Sequence, residues 1–302
     1  MHRTIRLCNT LVDIVVLVLL FLVLLFAGYS LWDGYTIYQS ADSQQFATYQ
    51  PAAYDPEASK PTNQRFAELQ AQNPDVFGWI HLFGTPINYP LVQGEDNNEY
   101  LNHDPHKNFS ISGSLFLDSL AAKDFSQFSS VIYGHHMEKD KMFGPLDHYL
   151  SVDYAQKHPR GNLYYDGAYH GFDVVTFLDT NAYDPYIYLP SDSPDRQASL
   201  LHYLKEKGSY QLAEASLSDH LVMLSTCADG TDQRYVLVVK LKDQAYREPK
   251  RKVYQENTLE KVVHHYWWLW LSLLALLVLI LYLLYRYYKN KKIQKEKPYE
   301  EL

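Results

Sequence analysis

The sequence predicts a mainly β domain with added helices, closed or half-closed into a barrel and held between two apolar terminal helices. Three observations carry this. The central part is rich in Tyr, Phe, Val and Ile, residues that fit a pleated, half-buried surface. Short apolar runs recur there at close spacing, parted by turn residues, while helical periodicity is rare. Each end carries an apolar run of membrane-spanning character. The chain has 302 residues. Setting the end segments aside leaves about 200, enough for one sizeable core. There is no internal repeat.

The first end segment opens with Arg3 and Arg6, then runs apolar from Ile14 to Ala27 and on to Trp32. No small-x-small cleavage site follows, and Tyr29 and Trp32 are suited to the membrane interface, so an uncleaved helix over 11–32 is expected. The second run, Tyr266 to Leu284, approaches the ~20 apolar residues that a bilayer requires and has aromatic residues at both ends. Arg3 and Arg6 precede the first helix and Asp33 follows it. Arg286, Lys289, Lys291, Lys292, Lys295 and Lys297 follow the second. Arg247, Lys250, Arg251, Lys252 and Lys261 oppose that orientation, but the first helix and the even helix count outweigh them. The expected order is a cytoplasmic N-terminus (1–10), a transmembrane helix (11–32), a linker (33–61), an extracytoplasmic domain (62–246), a juxtamembrane segment (247–265), a second transmembrane helix (266–285) and a basic cytoplasmic tail (286–302). The protein is thus expected in the cell membrane, with two spans and both termini inside.

Within the domain, the linker is polar and carries Pro51, Pro56 and Pro61. Asn63 to Gln72 has helical spacing through Phe66 and Leu69. Strands are expected at Phe77–Leu82, Ile87–Val92, Ser114–Leu117, Ser130–Tyr133, Asn162–Tyr165, Gly171–Leu178, Leu221–Leu224 and Tyr235–Leu241. Ser193 to Lys207 is the clearest internal helix, with Leu200, Leu201 and Leu204 on one face. The net charge of −8 argues against a nucleic-acid partner.

The chemistry concentrates in two stretches. Leu221-Val222-Met223-Leu224-Ser225-Thr226-Cys227 reads as a strand ending on a thiol, and after a short polar turn Arg234 opens the next strand. A cation beside a thiol lowers its pKa and makes it a better nucleophile. A cysteine can equally be a small core hydrophobe. The only other cysteine, Cys8, is far away beside the first apolar run, so a structural disulfide is not expected. The second stretch is Tyr133-Gly134-His135-His136-Met137. Histidine exchanges protons near neutral pH, and Cys with His is the minimum set for thiol-based acyl transfer. Adjacent strand residues face opposite ways, so only one of His135 and His136 can face Cys227. A metal site is disfavoured, because no acidic or His partner stands at helical spacing and one cysteine is available. No cofactor is expected.

These elements together resemble a sortase, a membrane-tethered cysteine transpeptidase of Gram-positive surfaces. The resemblance covers Phe66 to Leu241. Gly78-Trp79-Ile80, Tyr89-Pro90-Leu91-Val92-Gln93, Asp96-Asn97, Tyr100-Leu101, Gly113-Ser114-Leu115-Phe116-Leu117-Asp118 and Met142-Phe143-Gly144 are similar to class B members, as is a helix ahead of the cysteine strand. The resemblance implies an eight-stranded sortase-type barrel, with Cys227 as nucleophile, His135 as proton donor and acceptor, and Arg234 stabilising substrate and oxyanion. It implies substrate contact at Ser225 and Thr226, and specificity set by Ser225 and the 184–207 region. The implied partners are surface or pilin proteins with a C-terminal sorting motif, and an amine acceptor from a peptidoglycan cross-bridge or a pilin lysine. Two features depart from class B, and one from class C. The turn between Cys227 and Arg234 is short. The C-terminal apolar run is typical of class C, the pilin-polymerising members. Asp55-Pro56 is followed by Glu57, so the class C lid pattern is missing. A non-catalytic binding module on the same fold is the alternative. A papain-type hydrolase is disfavoured, since no Cys-Gly-Ser-Cys-Trp-like element is present.

Overall fold

The computed structural model describes residues 2–52, 54, 63–189, 193–227, 232–248, 276–277 and 279–289. Helix α1 (His2–Ser40) is followed by a 3-10 turn (Ser43–Tyr49) and α2 (Gln64–Gln72). Strands β1 (Val76–Leu82), β2 (Asn88–Val92), β3 (Leu115–Leu117) and β4 (Ser129–Gly134) come next, then a ribbon of β5 (His136–Met137) and β6 (Lys141–Met142). A 3-10 turn (Gly144–Leu150) and α3 (Val152–Lys157) lead to β7 (Arg160–Tyr165) and β8 (Ala168–Asn181). Then come α4 (Pro185–Tyr188), α5 (Pro194–Lys207), β9 (Leu221–Cys227) and β10 (Gln233–Lys242).

Eight strands close a barrel in the order β1-β2-β3-β4-β9-β10-β8-β7. Two neighbouring pairs, β2/β3 and β4/β9, are parallel, and the other neighbours are antiparallel. Parallel neighbours need long crossovers, and the crossover from β4 to β9 carries α3, β7, β8, α4 and α5. One end of the barrel, here the upper rim, therefore collects the C-terminal ends of β1, β4, β8 and β9 with the N-terminal ends of β2, β3, β7 and β10.

The strands are apolar on both faces because both faces are covered. Val222 and Leu224 of β9 join Ile80, Leu91, Leu115 and Phe177 in the barrel interior. Leu221 and Met223 of the same strand lie in an outer cluster with Val131, Val236, Val238 and the α5 residues Leu200 and Leu204. A third cluster seats Phe66 and Leu69 of α2 on Trp79, Val92 and Phe116. The continuous apolar run before Cys227 thus reports two cores sharing one strand.

Helix α1 is the one helix among the described residues long and apolar enough to cross a membrane. It continues past the expected boundary at residue 32 to Ser40. The stretch expected as a linker is folded at its start, with Ala41, Ser43 and Phe46 buried. The end of α1 docks on the upper rim. Buried Tyr89 donates its hydroxyl proton to the Ala41 carbonyl at 2.9 Å and accepts from the Met142 N–H at 3.0 Å. Lys141 pairs with Asp42. Tyr38 donates to Glu138 at 3.1 Å, and Lys139 sits 3.9 Å from the centre of the Tyr38 ring. The second apolar run, the basic tail and the juxtamembrane segment lie mostly outside the described residues, as does all of 55–62; residues 276–277 and 279–289 are helical.

Tyr89→Phe removes one hydroxyl and leaves a buried N–H and a buried carbonyl without it. It should cost about 1–3 kcal/mol, read by urea denaturation. A loss near zero would mean that the α1 end does not depend on this bond.

Candidate active site

Three strands bring the chemical residues to one level. In the β4/β9 pair, Tyr133 is opposite Ser225 and Gly134 is opposite Thr226. The pair runs parallel, so His135 and Cys227 each follow the last matched position. In the β9/β10 pair, Arg234 is opposite Cys227. The three sequence-separated candidates therefore occupy adjacent strand ends on the upper rim.

Gly134 is fixed by crowding. A Cβ there would stand 2.3 Å from Leu115 Cδ2 and 2.7 Å from Phe143 Cδ2, below van der Waals contact. The absence of a side chain lets β4 run against Phe143 and deliver His135 to the rim. His135 donates its Nε2 proton to the Leu101 carbonyl at 2.7 Å, and its own carbonyl accepts from the Phe143 N–H at 3.0 Å. The Leu101 bond sets the Nε2–H tautomer and leaves Nδ1 as the ring's acceptor nitrogen. His136 lies in the ribbon opposite Met142 and pairs through Nε2 with Asp147 Oδ2 at 2.8 Å. The two histidines have different partners on different elements.

Arg234 is half-buried, and one guanidinium nitrogen donates to the Gln233 carbonyl at 2.8 Å. Gln233 in turn donates to Asp179 at 2.6 Å. The turn 228–231 lies outside the described residues.

Ser225 and Thr226 are 1% and 2% exposed. Ser225 shares a 2.7 Å hydrogen bond with the Tyr188 hydroxyl, and the Tyr188 ring stacks on Tyr133 at 6.2 Å between centroids, 14° between planes. With Tyr188 so placed, Ser225 is closed to a ligand, and Thr226, on the opposite face of β9, is buried as well. Burial and then the Asp118 carboxylate push the Tyr133 phenol far up, so it stays a donor to Asp118 at 3.0 Å.

The turn presenting Tyr188 is held by one carboxylate. Buried Asp184 caps α4 by accepting from the Tyr186 N–H at 2.9 Å. Its other oxygen accepts from Thr180 at 2.6 Å and from the Tyr203 hydroxyl. Burial first, and the Asp184 carboxylate second, raise the Tyr203 phenol, which keeps its proton. Tyr203 of α5 also stacks on Tyr186 at 4.6 Å. The sequence reading marked 184–207 for specificity but missed Tyr188 and the Asp184 cap. The signal was there in Asp184-Pro185, an N-cap residue followed by proline at the first helical position.

The strand order and rim are those of the sortase fold. No protein-family model matches the chain. Sortase B of Staphylococcus aureus is 28% identical over 238 residues, 75% of this chain and 95% of that protein. Among solved structures, a mutant form of Clostridium perfringens sortase B superposes with a TM-score of 0.61 at 28% identity, covering 67% of this chain and 97% of that one. Sortase B from the type II pilus of Streptococcus pneumoniae is 36% identical with a TM-score of 0.52, covering 59% of this chain and 99% of its own. The chain belongs to the class B sortase family.

Gly134→Ala should destabilise by about 1–3 kcal/mol through overpacking and should lower turnover more than stability explains, since it displaces His135. Denaturation midpoints and turnover measured side by side test this. Unchanged turnover in a folded variant would break the link between Gly134 and His135.

Proposed function

We propose that the protein is a membrane-anchored cysteine transpeptidase that cleaves a C-terminal sorting motif and joins the new carboxyl end to an amine. The observation that carries this is the shared level of positions 135, 227 and 234 on three neighbouring strands. Chemically this is a nucleophile, a proton carrier and a cation side by side, and the class B relatives support the same reading.

In the proposed cycle the Cys227 thiolate attacks the scissile carbonyl carbon, and the carbonyl electrons move to oxygen. Arg234 offers fixed N–H donors to that oxyanion, where preorganised charge acts with little reorganisation. Collapse breaks the C–N bond, and protonated His135 gives its proton to the departing amine. An acyl thioester on Cys227 remains. A second amine attacks it, His135 takes the proton back, and the thiolate leaves. Ser225 meets Tyr188 on the outer sheet face, so the proposed substrate groove runs outside the barrel, bordered by Tyr188 and α5. Ser225 contacts substrate when Tyr188 swings aside, whereas Thr226 supports the wall from within.

The anchor is α1, with the catalytic domain outside the cell; the run 266–285 is the second span, followed by an inside tail. The acceptor is a cross-bridge amine or a pilin lysine. The similarity to a pilus-derived sortase B and the double tether favour the pilin lysine.

The test is incubation with sorting-motif peptides and amine acceptors, followed by mass spectrometry. A thioester on Cys227 that an amine resolves is expected. Cys227→Ala and His135→Ala should lose product below detection, Arg234→Ala should lose about 10²–10³-fold in turnover, and His136→Ala should keep most activity. No adduct with any peptide, together with a Cys227 thiol inert to an alkylating probe, would identify a binding module instead.

A further inference from the structure

The upper rim carries a feature that peptide transfer does not require. The loop between β2 and β3 exposes two large apolar side chains, Phe109 (71%) and Ile111 (58%). They flank Ser110, whose hydroxyl bonds to Ser112 at 2.7 Å and lies 3.4 Å from the Ser40 hydroxyl. Ser40 is the last residue of α1. The apolar pair therefore sits where the membrane-spanning helix meets the domain. The same loop supplies the Leu101 carbonyl that accepts from His135.

The helix sets the height of that loop above the bilayer. Its exposed aromatic residues Tyr29, Trp32 and Tyr35 are interface-type side chains. Tyr35 stands five residues, about 7.5 Å, below Ser40 along the helix. A headgroup layer is about 5–8 Å deep on each side of the hydrocarbon. The α1 end is clamped to the rim by Tyr38–Glu138, Asp42–Lys141 and Tyr89–Ala41, so no slack chain separates the two.

Resting on the reading of α1 as a membrane span, we infer that the 109–111 loop is a lipid-contacting surface, with Phe109 and Ile111 seated in the headgroup region of the outer leaflet. The upper rim, with His135, Cys227 and Arg234 on it, then faces the bilayer surface. Substrate chains would reach the site as they leave the membrane, not from the wall side.

The test uses the full chain in nanodiscs of phosphatidylcholine and phosphatidylglycerol. A nitroxide is placed by Ile111→Cys in a Cys8→Ser, Cys227→Ala background. Leu120→Cys is the aqueous control, since Leu120 is 86% exposed in the β3–β4 connection at the opposite end of the barrel. Leu22→Cys within α1 is the lipid control. The expected result is a label at 111 reached by oxygen more than by a water-soluble nickel chelate, with the order reversed at 120. If 111 matches 120 while 22 reports lipid, the lipid contact is overturned and the anchor stands. If 22 is aqueous too, the anchor reading fails and takes the inference with it. A label at 111 that is immobile and reached by neither reagent lies against protein, which also overturns it.

Discussion

The parallel pairing of β4 with β9 is the constraint on which the molecule depends. It matches Gly134 with Thr226 and so sends the next residue of each strand, a histidine and a cysteine, to one rim. A slip by a single residue would turn every side chain of β9 to the other face. That slip would move Leu221 and Met223 out of the α5 cluster and Val222 and Leu224 out of the barrel interior. Register is thus held by two cores at once, and the spacing of the chemical residues is inherited from it. Crowding at Gly134 by Leu115 and Phe143 sets the depth at which β4 can run.

Around the cysteine level the polar groups form a supported wall. Asp184 is the keystone of the outer side: one carboxylate caps α4, receives a hydroxyl from β8 and receives another from α5. The wall carries Tyr188 to Ser225 and stacks it on Tyr133. A buried carboxylate is costly when its donors are only partly in place, so each of the three bonds supports the other two.

Much of this was legible in the sequence, for physical reasons. The eight barrel strands announce themselves as short apolar runs because each packs on a core face. Helix α5 shows its Leu200–Leu204 stripe because it covers one such face. The cysteine, histidine and arginine stand at strand ends, where apolar runs break into polar residues. What the sequence left unread depends on distant partners. The β5–β6 ribbon has two residues per strand, too short for any periodicity. Tyr188 looks like any surface aromatic until the fold brings Ser225 beneath it. The stretch after residue 40 looks like a polar linker, and only distant partners explain its burial: Tyr89 for Ala41, and the cluster of Phe66 and Trp79 for Phe46.

The long excursion between β4 and β9 has a consequence for how the protein comes to life. Contacts between segments so distant along a chain form late, since the loop they close must be ordered first. Positions 135 and 227 come to one level only through this pairing. In the proposed reaction, a partly folded chain therefore holds its thiol beside the arginine of the neighbouring β10 but without its proton carrier, and the proposed reactive set is complete only once β4 and β9 have paired. Competence to react is in this sense a built-in certificate of assembly.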